Sequence, residues 1–486
     1  MDQGGQIRAY PAQEGIPLNK AFQIEARPVA SAAHITIPAY AVDLAEANTT
    51  RNAFDRHTAA IASFDLKPDA GPVEIKLRHD AAMIRSAVVR PLSLDVQVRI
   101  LEDGKTVCFI LNQPRDVMLE INDDKWQALH LLSNIIDPAA PTGNTDDVWY
   151  FGPGINQGAA YEQVKDGVNL MVPSGKTVYL ASGAFVTCRL NFVDVANAGV
   201  RGQGFILGPE GGYQYREHGG AIHMSRASNI FVGGVTSLGA NGFSLSAGEC
   251  KKVHIDGYRS FSFAGNGDGV DFFCSSDIII ENCFLRNSDD TIALYSHRWQ
   301  WFGDSDNITI RNCVLLPDIA HAINMGTHGN PEKPETTSNV HISNIDILDH
   351  NENQLWYQGC IAINAADENI IRNVHVTDVR VERITRGQLV NIRVMKNDMW
   401  TTAPGGSIQN VTFKNLSLGL THSKVVNPSQ ILGYDTQRKV KDVVFENLKI
   451  NGQVVWEGMD KPKWYMVSDL IPLFANEHVE GLRFVK

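Results

Sequence analysis

From residue 229 onward a six-residue pattern returns eight times: Asn, Asp or Lys, an aliphatic residue, any residue, an apolar residue, any residue, and a closing Asn, Gly or Asp. Asn229-Ile-Phe-Val-Gly-Gly234 is the first good copy, Asn307-Ile-Thr-Ile-Arg-Asn312 a central one and Asp442-Val-Val-Phe-Glu-Asn447 the last. Successive copies start 23 to 37 residues apart. Alternation with period two makes each copy a short strand, and the polar residue after it a turn. A strand and turn repeated at this interval describe a coil that stacks on itself, burying one apolar face inward. Neither the leucine spacing of leucine-rich repeats nor a 3.6-residue helical period is present. The pattern therefore predicts a right-handed parallel β-helix, with the closing Asn282, Asn312, Asn344, Asn415 and Asn447 forming a ladder of side-chain amides at the bends.

The repeat does not reach the first third of the chain. Residues 1–145 alternate as short strands with turn signals between them, which predicts a small N-terminal β-sandwich. Leu92–Ile100 is read as one strand, paired through the turn at Glu102–Lys105 with Thr106–Leu111. A turn-rich linker over 136–147 precedes a β-helix domain spanning 146–486. Gly175–Val186 is the expected first coil, Asn197–Gly202 a degenerate repeat, and 461–486 a non-repeating cap for the open end. The fold class is thus all-β, and 486 residues suffice for both parts.

A net charge of −11 without a basic stripe argues against a nucleic-acid partner. No run approaches the eighteen apolar residues of a membrane span, so no membrane partner is expected. The first residues do not form a signal peptide, consistent with a chain that stays inside the cell or one whose signal has been removed. Seven cysteines without a Cys-x-x-Cys pair read as small buried hydrophobes, giving neither zinc nor disulfides. The glycine-rich run 202–220 lacks the Gly-Lys-Ser/Thr ending of a phosphate loop.

Chemistry concentrates between Asp268 and His328. Asp268, the pair Asp289-Asp290, and His321 lie 16, 12 to 13, and 14 positions past the starts of three consecutive copies. Stacked rungs would place them on one face as an acidic patch edged by a histidine. Singly, each Asp is ordinary turn chemistry. Together, mutual repulsion would keep one carboxyl protonated beside ionised ones, which is what glycosidic cleavage requires. One acid would protonate the leaving oxygen and another, about 6.5–9.5 Å away, would activate water in an inverting reaction.

These residues resemble a known family. Asp268-Gly-Val-Asp271, Ser288-Asp-Asp-Thr-Ile-Ala-Leu294 and Ala320-His-Ala-Ile-Asn-Met-Gly326 are similar to the Asn-Thr-Asp-Gly, Gly-Asp-Asp and Gly-His-Gly motifs of the polygalacturonases, glycoside hydrolase family 28, over roughly 148–455. Asn391-Ile-Arg393 stands where that family has Arg-Ile-Lys. A β-sandwich ahead of the β-helix is more similar to the related dextranase family 49. The resemblance implies Asp289 as general acid, Asp268 and Asp290 as the groups that hold and activate water, His321 as a residue tuning the acid or touching sugar, and Arg393 as a substrate contact. Asn266-Gly267 in place of Asn-Thr before Asp268, Ser288 in place of Gly, and Asn391 in place of Arg depart from the motifs; the last removes a cation that a galacturonate would pair with.

Aromatic rings stack on sugars, so His297, Arg298, Trp299 and Trp301 are the first candidates for a subsite, with Asn324 and His328 in the same groove. Loops 295–306 and 326–338 are its expected walls. The reading is hydrolysis of a poly- or oligosaccharide with no cofactor and no metal. Its rivals are a polysaccharide lyase using Ca²⁺ or a cationic base, and a noncatalytic glycan-binding β-helix.

Overall fold

The computed structural model describes residues 6–51, 53–207, 220–240, 242–263, 265–459 and 473–486. Its larger part is a right-handed parallel β-helix. Each central rung supplies three strands, as in Lys251–Asp256, Arg259–Phe261 and Val270–Phe273, followed one turn later by Ser276–Glu281, Phe284–Asn287 and Ile292–Tyr295. Among the described residues these build one sheet of 21 strands and a second of 11. The aliphatic position of the repeat pairs with itself from rung to rung. Val253, Ile278, Ile308, Val340, Val374, Val411 and Val443 form one unbroken column of partners, and all are buried in a single core. A residue at a given place in the repeat therefore sits directly above its counterpart.

The bends explain the Asn. The closing Asn282, Asn312, Asn344, Asn415 and Asn447 all have φ between 53° and 56°. This left-handed conformation disfavours most side chains, while Asn and Asp tolerate it. Their amides form the expected ladder: Asn312 donates to Asn282 at 3.4 Å and accepts from Asn344 at 2.9 Å. A second ladder occupies the opening position, also at positive φ, where Asn373 donates to Asn339 at 3.1 Å and Asn410 to Asn373 at 2.8 Å.

Ahead of the β-helix two sheets pack face to face. One contains Ala53–Leu66, Asp124–Ile135, Val117–Ile121 and Ala87–Arg90; the other contains Phe22–Pro28, Val73–His79 and Thr106–Leu111. Phe64, Leu119 and Leu131 of the first meet Ile24, Ile75 and Phe109 of the second. The outer face of the first sheet, through Tyr40, Val42, Leu44 and Ile61, lies on Phe261, Phe284 and Leu316 of the β-helix. Buried charges cross the same junction. Arg90 and Arg383 both hold Glu120, Lys125 reaches Asp318 and Asp349, and Arg259 holds Asp116.

Three expectations change. Leu92–Leu94 is a 3₁₀ turn ending at Asp95, whose φ is 48°, so only Arg99–Ile100 pairs with Thr106–Leu111. The first coil begins earlier than Gly175, because Val148–Phe151 already pairs with Thr177–Leu180. At the far end, residues 461–472 lie outside the described residues, but Leu473–Ala475 and Arg483–Val485 pair onto Ser429–Leu432 and Val440–Glu446 and so extend the coil. Most of the glycine-rich run, 208–219, also lies outside the described residues. All seven cysteines are buried and free of disulfides.

Asn312→Ala should lower stability by about 2 kcal/mol, from two lost amide bonds and a Cβ without a compensating side chain at positive φ. Asn312→Gly keeps the backbone unstrained and should cost about half as much. Equilibrium denaturant unfolding of the two variants against the parent measures the difference.

Candidate active site

The rung register brings the acids together. Val270–Phe273, Ile292–Tyr295 and Ile323–Met325 are successive strands, with Val270 paired to Ile292 and Ile292 to Ile323. Asp268, Asp289, Asp290 and His321 occupy the turns that lead into them. One oxygen from each of Asp268, Asp289 and Asp290 lies within 4.8 Å of the others. Gly269 makes the approach possible: a Cβ there would sit 2.4 Å from the Thr291 carbonyl. Beneath the turns, Asn287 donates to Ser260 and Ser262 at 2.8 and 3.0 Å, and Ser262 receives the Ser288 amide at 3.1 Å. This hydroxyl and amide network fixes where the carboxylates point.

Their environments differ. Both oxygens of Asp290 are occupied: Oδ1 by the amide and Nδ1 of His321 at 3.0 and 2.6 Å, Oδ2 by Asn324 at 2.7 Å and the Tyr295 hydroxyl at 3.4 Å. Burial opposes its charge, but His321 and these hydrogen bonds win and hold Asp290 below the ordinary carboxylate range. His321 is itself fully buried, with its second nitrogen on the Tyr357 carbonyl. Desolvation alone would make it neutral; with an acceptor at each ring nitrogen and the charge of Asp290, it is pushed up to about 9. Asp289 is the only one of the three acids with appreciable exposed surface. Burial, then the charges of Asp290 and Glu352, push it up to about 7. Burial and neighbouring carboxylates also raise Asp268 and Asp271 well above the usual range. The site therefore sets a carboxylate whose charge is favoured by His321 beside acids whose affinity for the proton is raised.

A family model for glycosyl hydrolases family 28 matches residues 163–463, more than half of the chain. The chain belongs to glycosyl hydrolases family 28. It is 25% identical over 231 residues to a polygalacturonase of Chamaecyparis obtusa, covering 42% of this chain and 43% of that protein. With a probable polygalacturonase of Arabidopsis thaliana it shares 28% over 159 residues, 32% of each. The chain thus spans less than half the length of these curated relatives. Among solved structures it superposes on Dex49A from Penicillium minioluteum with a TM-score of 0.63 and 13% identity, over 98% of this chain and 96% of the other. At that identity the likeness concerns the fold.

Within this family 28 site, the remaining candidates divide. Asn324 joins Asp290 to the Tyr357 hydroxyl, 2.9 Å away. His328 lines the cavity above the acids, with Tyr295 edge-on at 5.0 Å; burial and the adjacent Arg298 hold it down at about 3. Arg298 lies over Trp299 at 4.5 Å and meets His328 at 3.3 Å. Trp301 is not a sugar platform. It is 1% exposed, its indole donates to Ser225 at 3.0 Å, and it fills the space left by Gly248, where a Cβ would come within 2.2 Å of the ring. Trp299 packs partly buried on the same cluster, and His297 is tied to the Trp301 carbonyl at 2.6 Å and stacked on Phe302. Loop 295–306 is thus largely folded onto the coil. Arg393 is bound to the Trp356 carbonyl at 2.6 Å and lies over that ring, outside the wall of the acidic cavity.

Other residues complete the cavity, which measures about 430 Å³. Glu352, Tyr357 and Trp400 come from later rungs, and Asn48 and Phe54 from the N-terminal sheet. No motif marks them. Asp271 does carry a signal, as the last residue of Asp-Gly-Val-Asp; it is buried, and among the described residues neither of its oxygens has a hydrogen-bond partner. A larger cleft of about 1190 Å³ lies on the N-terminal sheets, but charged groups along it are paired with each other, Lys76 with Glu25 and Arg78 with Asp103.

His321→Gln should destabilise the fold by about 3 kcal/mol at pH 7, because it leaves Asp290 buried without its cation. The folded pKa of His321 is raised, so the stability it contributes is complete below its unfolded value of about 6.5 and is lost as pH rises through about 9. The difference between parent and variant should therefore shrink between pH 7 and pH 10, as followed by denaturant titration at each pH.

Proposed function

We propose that this chain hydrolyses a glycosidic bond of a poly- or oligosaccharide by acid–base catalysis with inversion. The observation that carries this reading is the division of protons on one face: Asp289, partly exposed and held near neutrality, stands against Asp290, which is kept ionised by His321. Asp289 is the general acid for the leaving oxygen. Asp268 and Asp290 hold the attacking water, and Asp290, the acid kept charged by His321, takes its proton. His321 and Asn324 position Asp290 and keep its charge.

The acids are closer than anticipated: oxygens within 4.8 Å fall short of the 6.5–9.5 Å of two carboxyls flanking a sugar from opposite sides. Spacing alone would equally fit a carboxylate nucleophile. Hydrogen bonding favours water instead. Both oxygens of Asp290 already accept hydrogen bonds, which suits it to orienting water and blunts it as a nucleophile.

The relatives named above are polygalacturonases. Here, among the described residues lining the cavity, no lysine or arginine is present, and His328 is held neutral. A uronate carboxylate placed beside Asp268, Asp289 and Asp290 would lack a counter-charge, so a neutral sugar is the better occupant. Arg393 beside Trp356 is left for a more distant unit of the substrate.

Asp289→Asn should reduce release of reducing ends by about 10²–10⁴-fold, the contribution of one positioned acid. A panel containing dextran, other neutral glycans and polygalacturonate identifies the substrate. Products absorbing in the ultraviolet through a new double bond would mean elimination instead. In the parent, activity should fall as pH rises past about 7, where Asp289 gives up its proton. Proton magnetic resonance of the first product should show the inverted anomer; a retained one would assign the attack to a carboxylate.

A further inference from the structure

The strands Tyr40–Asn48 and Ala53–Leu66 do not end with their sheet. They pair with each other from Tyr40↔Ile61 out to Asn48↔Ala53, whereas Asp124–Ile135 accompanies the second strand only from Ala60 to Leu66. Residues 42–48 and 53–59 thus form a two-stranded arm that leaves the N-terminal sheets. The arm runs along the β-helix toward the acids. Its base is fixed by Val42, Leu44 and Ala59 in the cluster with Phe261 and Phe284. Further out, the Arg56 guanidinium lies 5.0 Å from the centre of the Phe263 ring. At the tip, the Phe54 ring lies where a Cβ on Gly265, three residues before Asp268, would meet it at 3.8 Å. The tip is braced internally, with Asn48 donating to Asp55 at 2.7 Å and accepting the Arg51 amide at 3.1 Å.

Phe54 at this tip is 56% exposed. A single exposed ring is ordinary on a protein surface; what sets Phe54 apart is its place in one cavity with a second exposed aromatic and the acids. It opens into the cavity whose floor is Asp268, Asp289 and Asp290, and Trp400, also exposed, lines the same cavity with Gln354 hydrogen-bonded to its indole at 3.2 Å. An open groove along a β-helix would let a polymer pass in both directions. Here a wall built by a different part of the chain stands against the first catalytic turn. Asn48, Thr49, Ala53 and Phe54 of the arm line one side of the cavity of about 430 Å³ that holds the acids.

We propose that the arm closes one end of the catalytic groove, so that the terminal sugar of a glycan chain stacks on Phe54 and the enzyme removes units from chain ends instead of cutting within the polymer. This rests on the glycoside-hydrolase reading above and adds to it the mode of attack. Phe54 acts as a specificity-determining contact, recognising the apolar face of a neutral sugar ring.

The test uses the full chain on whichever glycan of the panel yields reducing ends. For each bond cleaved, the parent should lower polymer viscosity very little, and an oligosaccharide ladder should shorten from one end. A variant with the arm cut back, joining Leu44 to His57 by Asn-Gly, should cleave internally and lower viscosity per bond at least tenfold more. Phe54→Ala, which leaves the arm in place, should lose about tenfold in kcat/KM on short oligosaccharides, and Phe54→Trp should restore most of it. A parent that thins the polymer as fast as random scission, or an arm-shortened variant with an unchanged viscosity ratio and Phe54→Ala with unchanged kcat/KM, overturns the proposal while leaving hydrolysis standing. Absence of reducing ends from every glycan overturns the hydrolase reading, and the proposal with it.

Discussion

Everything in this molecule depends on the register between rungs. Parallel pairing alone would allow a strand to slip by two residues without turning its apolar face outward. The two amide ladders resist such a slip, because each Asn or Asp occupies a left-handed backbone position that its neighbours in the chain do not. A slipped rung would lose its bond to the rung below and push another side chain into positive φ. With both ends of the strand pinned, the turn that follows starts from a fixed place. Asp268, Asp289 and His321 then arrive one above the other although they are separated by dozens of residues.

A precise stack of acids is unfavourable by itself, and the site manages it by unequal solvation and pairing. Asp290 receives a buried cation and a full set of hydrogen bonds. Among the described residues, Asp289 has no ion-pair partner, and the Asp290 amide donates to it at 3.0 Å. Two adjacent residues of one turn are thereby shifted in opposite directions, Asp289 upward and Asp290 downward. The charge on Asp290 raises Asp289, and the imidazolium that holds Asp290 is raised in its turn by Asp290 and Glu352. Removing any one of these groups shifts the proton on the others, so the set works as one titrating unit.

Sequence periodicity made the coil legible because the repeat encodes both its strand and its turn locally. The acids were legible for the same reason: their offsets from the repeat are read directly as positions on the rungs. What was not legible is what comes from elsewhere in the chain. Trp301 looked like a sugar platform beside Trp299, yet its surroundings are set by Gly248 and Ser225, which lie on earlier rungs. Glu352 and Tyr357 follow no motif and reach His321 only through the stacking of later coils. The opening ladder has no clear mark in the sequence, because Lys252 and Asp277 share that position with Asn, and the backbone conformation common to all three has no signature in a pattern of residue types.

The N-terminal sheets are tied to this machinery by charge as well as by apolar contact. Lys125 spans Asp318 and Asp349, and Arg286 holds Asp318 in a paired fork while bonding the Lys125 carbonyl and His130. These groups are almost completely buried, so each charge is tolerable only while its partner remains. The consequences reach the site through short covalent steps. Asp318 lies three residues before His321, and Asp349 three before Glu352; Asp349 also accepts the His350 amide at 2.8 Å. The turns carrying His321 and Glu352 are thus held from below by a lysine of the N-terminal sheets. A β-sandwich that served only as an appendage would need no buried charge at its junction. In this chain it anchors two turns of the site from beneath, and through the arm ending at Phe54 it supplies one wall from the side.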